Sequence, residues 1–269
     1  MKLWTKIQIM LTRVAVLTLG QSSEGIRLVT TKGLTSGIML DYIYQNQPHG
    51  RFVIGKWIDK IYLSHPGWED VRTRKTNLVD YLLDAISIQR KLKRQPIVVD
   101  IAAGSARYIL DVKSKGGMDD VIVICRDLDE EALEQGKRNA EKLGISGIHF
   151  GTGDALSAES LALVEPKANI AVSSGFYDWV NEDEVVQKSM ALLYQILPSG
   201  GCFLFTNQAR HVNQEFVQGV FKNLYGQPLR MTMRSAVQMN SWAESAGFTI
   251  IKTTGDVNFN YSVSLAQKP

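Results

Sequence analysis

Cysteine is nearly missing from this sequence, with Cys125 and Cys202 the two among 269 residues. Both fall in apolar stretches that read as buried strands. That excludes a disulfide framework and fits the free thiols of a cytoplasmic protein. Histidine is scarce as well: His49, His65, His149 and His211 stand at no metal-ligand spacing. No internal repeat, low-complexity segment or long Lys/Arg run occurs. The aromatic and basic residues of residues 1–95 follow helical core spacing rather than a stacking platform, which argues against a nucleic-acid-binding module. The amino-terminal apolar stretch is interrupted by Arg13 and followed by no small-x-small cleavage site. It therefore reads neither as a signal peptide nor as a stable membrane insertion. Leu3, Ile7, Met10, Val14 and Leu17 recur instead at helical spacing and predict an amphipathic helix. Its default is to pack on its own domain. Pairing in a homodimer and touching a membrane surface are the alternatives.

What is present is ordinary for a soluble globular chain, with 45% apolar and 21% charged residues. The net charge of +3 hides an asymmetry. Residues 1–95 carry 15 Lys and Arg against 7 Asp and Glu, whereas residues 96–269 carry 15 against 20. The first part is mostly helical. Ser22 to Thr35, rich in glycine and threonine, reads as a loop, and Ser36 caps a helix over residues 37–45. Ile54, Trp57, Ile58, Ile61 and Tyr62 mark one face of the next helix. A longer helix is predicted from about Glu69 to Lys93, with Val71, Leu78, Leu82 and Ala85 on one face.

After Pro96 the pattern changes to strands alternating with helices, which predicts right-handed βαβ units. Strands are expected near 97–101, 121–126, 148–150, 169–174, 201–206, 248–254 and 261–266, the last two as an antiparallel edge hairpin. The organising stretch is IVVDIAAGSARYIL, residues 97–110. Its apolar start reads as a strand buried on both faces, and its small residues form a turn into a helix N-terminus. Asp100 ends that strand. Asp127, followed by Leu128, ends the next, 23 residues after Gly104. An acidic residue at that distance holds ribose hydroxyls in dinucleotide-type folds. Asp154, between Gly153 and Ala155, is placed to meet an adenine amino group. Three carboxylates at successive strand ends suit a cationic centre, ribose and adenine, and suit a pyrophosphate poorly. Ala102, Gly104 and Arg107 also depart from the G-x-G-x-x-G pattern.

In these features the sequence resembles class I S-adenosylmethionine (SAM)-dependent methyltransferases. The resemblance implies a Rossmann-like α/β fold with a seven-stranded, mainly parallel sheet spanning 96–269. Residues 1–95 then form an amino-terminal helical lid or substrate region. SAM would be held by Asp100, Ala102, Gly104, Asp127, Leu128, Gly153, Asp154, Ala155, Ser173 and Ser174, with Tyr44 and Arg74 reaching in from the lid. Tyr177 is placed either to touch a sulfonium by cation–π attraction or to close the top of the core. His211 is the candidate base. Gln208, Arg210 and Arg234 are candidates for the substrate, with Arg234 otherwise an exposed arginine.

MLDYIYQNQPHGR, VVDIAAGSARYILD, SSGFYDWVNEDEVV and MRSAVQMNSWAESAGF narrow the resemblance to a bacterial methyltransferase family sometimes associated with lysophospholipase-like hydrolases. That family usually carries His-Gly where this chain has Ser105-Ala106. It usually reads Gly-Gln-Pro-Trp-His where this chain has Asn207 to His211, so Gln208 and His211 carry over. The implied reaction is methyl transfer to a small molecule. The alternative, known among methyltransferase-like proteins of natural-product biosynthesis, is cyclisation of SAM to azetidine-2-carboxylate with release of methylthioadenosine.

Overall fold

The computed structural model describes residues 3–211, 214–221, 229–256 and 260–269. The chain divides into two compact units. One comprises residues 1–72 with 211–230, and the other residues 73–210 with 231–269. The division falls inside a long helix, well before residue 95.

The first unit is helical: α1 (Leu3–Leu17), α2 (Glu24–Lys32), α3 (Gly37–Gln45), α4 (Phe52–Leu63), the start of α5 (Pro66–Lys91), and α10 (Gln214–Val220). The loop expected over Ser22 to Thr35 is therefore a helix. Ser23 caps it by accepting the Ile26 N–H at 3.1 Å, and Ile26 and Val29 supply a buried face that outweighs the weak propensity of its two threonines. α1 and α4 form as predicted, but with other faces inward. α1 buries Ile9 and Val16 beside Ile26 and Val220, while Met10, Val14 and Leu17 stay exposed. α4 buries Gly55, Asp59 and Leu63, and leaves Ile54, Trp57 and Ile61 exposed. The reason is Asp59. Its Oδ1 accepts from the Ser23 hydroxyl and from the Gly25 N–H at 3.0 Å. Its Oδ2 accepts from the Tyr42 hydroxyl at 2.6 Å and the His49 N–H at 3.0 Å. A buried carboxylate needs this many donors, and they turn the polar side of α4 inward. Burial alone would raise the Asp59 pKa, but the donors outweigh it and hold the group below the usual carboxylate value.

The second unit is the expected α/β sheet. Among the described residues its strands are β1 (Ile97–Asp100), β2 (Ile122–Asp127), β3 (Ile148–Thr152), β4 (Ile170–Ser173), β5 (Cys202–Gln208), β6 (Thr249–Gly255) and β7 (Tyr261–Gln267). Their order is β3-β2-β1-β4-β5-β7-β6. The first five are parallel, and β7 pairs antiparallel with both β5 and β6. The helices are α6 (Arg107–Lys113), α7 (Glu130–Lys142), α8 (Ala158–Ala162), α9 (Asp183–Ile196) and α11 (Ala236–Ser245), with the rest of α5. Alternate strand residues feed two cores. Val98, Val172 and Leu204 meet Leu78, Leu82 and Ile86 of α5, while Val99, Ala171, Phe203 and Phe205 meet Met190 and Leu193 of α9. Strand order reverses between β1 and β4. In such sheets that reversal opens a crevice beyond the carboxyl ends of the strands.

Candidate functional site

Asp100, at the end of β1, is fully buried. It accepts from the Tyr108 hydroxyl of α6 and from the Ala102 N–H at 3.3 Å, so it braces the β1–α6 turn from below. Burial pushes its pKa up to about 7, and the charge of Asp127 adds to the shift against the two hydrogen bonds. The turn is tight. The Ala103 N–H bonds the Arg126 carbonyl at 2.9 Å, and Gly104 adopts φ +52°, where glycine carries no Cβ penalty. The Gly104 N–H then donates to Oδ2 of Asp127 at 2.7 Å, while the Asp129 N–H holds Oδ1 at 2.9 Å. Asp127 is half-buried, and each of its oxygens keeps a lone pair for a further donor. Beside it Ser105 is buried, and its hydroxyl has no hydrogen-bond partner among the described residues.

Beyond β2 and β3, the Gly153 N–H bonds the Asp127 carbonyl at 3.0 Å, which brings the third strand end to the second. Asp154 is exposed and caps its own turn through the Leu156 N–H at 2.8 Å. Ala155 is buried and Leu128 exposed. Past β4, Ser173 is buried and Ser174 half-buried, and the Gly175 N–H donates to the Thr206 hydroxyl of β5 at 2.7 Å. Asp178 is buried there. Its Oδ1 accepts the Gln208 N–H at 2.9 Å, and its Oδ2 lies 3.7 Å from the Arg74 guanidinium. Burial raises the Asp178 pKa, against the pull of Arg74, the Gln208 N–H and Arg234. Arg74 is itself buried, with its guanidinium 4.9 Å from the Tyr261 ring centroid.

Residues 2–268 match the model of a family described as "Putative methyltransferase". The chain belongs to this methyltransferase family. Over 239 residues it is 36% identical to the uncharacterized protein YnbC of Escherichia coli (strain K12), a match covering 88% of this chain and 40% of that protein. The chain thus spans less than half the length of that relative. A possible exported protein from Bordetella parapertussis has a similar structure, with TM-score 0.73, 18% identity, and 98% and 93% of the two chains covered. Magnesium protoporphyrin IX methyltransferase (ChlM) from Synechocystis PCC 6803, solved with bound SAH, gives a TM-score of 0.54 at 15% identity. That match covers 76% of this chain and 88% of ChlM. At these identities the likeness is one of fold, here the Rossmann-like fold of class I SAM-dependent methyltransferases.

The residues expected at the site separate into groups. Asp100, Ala102, Gly104 and Asp127 come together through hydrogen bonds of the turn, with Gly153 joined to them through Asp127. Tyr177 is closed inside the core, 1% exposed, with its hydroxyl 3.0 Å from Ser189 of α9. Burial raises its pKa to about 12. Of its two expected placements the structure has the core one. Arg234 is neither exposed nor open to an anion. It donates to Asp183 at 2.9 Å, the Tyr177 carbonyl at 2.7 Å and the Val180 carbonyl at 2.8 Å, which locks the β4–α9 connection. Gln208 is buried and bonds the Arg210 carbonyl at 3.0 Å, while Arg210 is exposed. Tyr44, half-buried on α3, and His211 belong to the helical unit. Sequence reasoning missed Ser105 and Asp178. An acid between Tyr177 and Trp179 in a strand-end loop was the available signal for the second.

Proposed function

We propose that this methyltransferase holds SAM across the carboxyl ends of β1 and β2 and transfers its methyl group to a small-molecule acceptor. The observation that carries the reading is the 2.7 Å contact of the Gly104 N–H with Asp127, which sets a half-buried carboxylate against a small-residue turn. The residues fit such a ligand. Asp127 has lone pairs to spare for two ribose hydroxyls, and the partnerless Ser105 hydroxyl adds a donor at the same turn. Exposed Asp154 is free of the core and suits the adenine amino group. SAM supplies, when bound, a methyl group activated on a sulfonium centre. The chain's part is alignment, worth several powers of ten when nucleophile, methyl and sulfur are held in line. A base is needed only for a weakly acidic acceptor, and His211 is the candidate.

Asp127→Ala tests the reading. A hydrogen bond to a charged group contributes about 1.5–3 kcal/mol, so calorimetry finds affinity for SAM lowered by roughly tenfold or more. Unchanged affinity would remove Asp127 from the site. Incubation with SAM alone separates the two chemistries by mass spectrometry. Cyclisation releases methylthioadenosine, whereas methyl transfer yields adenosylhomocysteine only when an acceptor is added.

The amino-terminal helices we take as a lid on the same site. Lids are drawn from the locally less stable parts of a protein. Residues 36–75 accordingly gain protection from hydrogen exchange when adenosylhomocysteine binds, and identical exchange in both states would refute the lid.

A further inference from the structure

Among the described residues, α1 and α4 each leave an apolar face exposed. At the start of α4, Phe52 and Val53 are 83% and 87% exposed, followed by Ile54, Trp57 and Ile61. On α1, Trp4, Met10, Leu11, Val14 and Leu17 are exposed too. Exposed large apolar residues in such number on two neighbouring helices of one unit point to an interaction surface. The backbone builds it deliberately. Phe52 sits at φ +53°, a region that bulky residues rarely adopt, immediately after the Arg51 N–H anchors to the Ser22 carbonyl at 2.8 Å. Gly55 presses so closely beneath it that a Cβ there would lie 2.2 Å from the Ser22 carbonyl oxygen. The chain is thereby bent to thrust Phe52, Val53 and Ile54 outward.

The exposed charges carried by α1, α4 and the residue before α4 have one sign, with exposed Glu69 the nearest acid beyond them in the chain. Lys6, Arg13, Arg51, Lys56 and Lys60 are exposed. The acids between residues 3 and 65 are Glu24, Asp41 and Asp59. Asp41 and Asp59 are buried, and half-buried Glu24 pairs with Arg27. Aromatic and aliphatic residues edged by Lys and Arg suit a helix lying in the headgroup plane of a bilayer, where cations gain from anionic lipids. Among the described residues no helix is long and apolar enough to cross a membrane. A second copy suits the surface poorly, because a two-fold contact would press together two surfaces that both carry Arg51, Lys56 and Lys60.

We propose that α1 and α4 are a peripheral docking surface for an anionic lipid bilayer. The proposal is independent of the cofactor assignment. Flotation with vesicles of phosphatidylcholine containing about one-third phosphatidylglycerol tests it. The full chain binds these vesicles at least about tenfold more tightly than pure phosphatidylcholine, and high salt weakens the binding. Phe52→Glu with Trp57→Glu removes the binding, while the circular dichroism spectrum stays unchanged. Lys56→Glu with Lys60→Glu, on solvent-exposed positions, removes the preference for anionic vesicles and serves as a second test should the first variant misfold. Absence of binding to the anionic vesicles, or equal binding to both kinds, would overturn the proposal. So would a dimer in sedimentation equilibrium that Phe52→Glu dissociates, since the surface would then belong to a second copy.

Discussion

Gly104→Val abolishes SAM binding, and Gly104→Ala only weakens it. Gly104 holds φ +52° in the turn that leads β1 into α6. A β-branched side chain there brings Cβ and both Cγ atoms against the backbone, at a cost of about 1–3 kcal/mol. Relief of that strain rotates the peptide, and the 2.7 Å bond from the Gly104 N–H to Asp127 is lost with it. The valine side chain also fills space next to the carboxylate. Ala106 makes the contrast informative, since it keeps φ +54° in the same turn and shows that a single methyl group is tolerated there. Calorimetry with adenosylhomocysteine therefore finds no measurable binding for the valine variant and a weakened curve for alanine. A folded valine variant with normal affinity would reduce the turn to a structural element.

The largest stability effect falls in the other unit. Asp59→Ala removes the acceptor of three buried donors, the Ser23 and Tyr42 hydroxyls and the Gly25 N–H, and of the part-buried His49 N–H. Each orphaned buried donor costs about 1–3 kcal/mol, partly relieved by water, so a total loss of about 3–5 kcal/mol is expected. That is a large share of the ordinary stability of about 5–15 kcal/mol, and the helical unit unfolds first. Asp59→Asn does not rescue it, because an amide turns one acceptor into a donor facing other donors. The native donors hold the Asp59 pKa below its unfolded value of about 4. Its contribution is therefore complete above that value and is lost as pH falls through the lower native pKa. Chemical denaturation followed through α1–α4 shows the loss at neutral pH and a flatter acid limb for the variant. Wild-type stability in Asp59→Ala would contradict the network's role.

What the sequence made legible was local. The run Ile97-Val98-Val99 and the spacing from Gly104 to Asp127 announce a strand, a turn and a second strand end, and the two ends do meet through a hydrogen bond. Periodicity likewise located α1 and α4, but a 3.6-residue repeat says that a helix forms and not which side is covered. α4 follows the demands of Asp59 instead of its own apolar stripe. The glycines and threonines of Ser22 to Thr35 hid α2, whose cap and buried face depend on partners distant in the chain. The buried contacts of Arg234 and Asp178 were hidden for the same reason. Their partners lie 30 or more residues away, at Asp183, Tyr177 and Gln208, and only the packed sheet brings them together.

The central claim is that the β1–α6 turn and Asp127 form the seat of SAM. A crystal structure of the full chain with adenosylhomocysteine tests it most directly. The account predicts ligand density beyond the carboxyl ends of β1 and β2, with both ribose hydroxyls hydrogen-bonded to the Asp127 carboxylate. Density at another place, or a ribose that leaves Asp127 bonded only to Gly104 and Asp129, would contradict it.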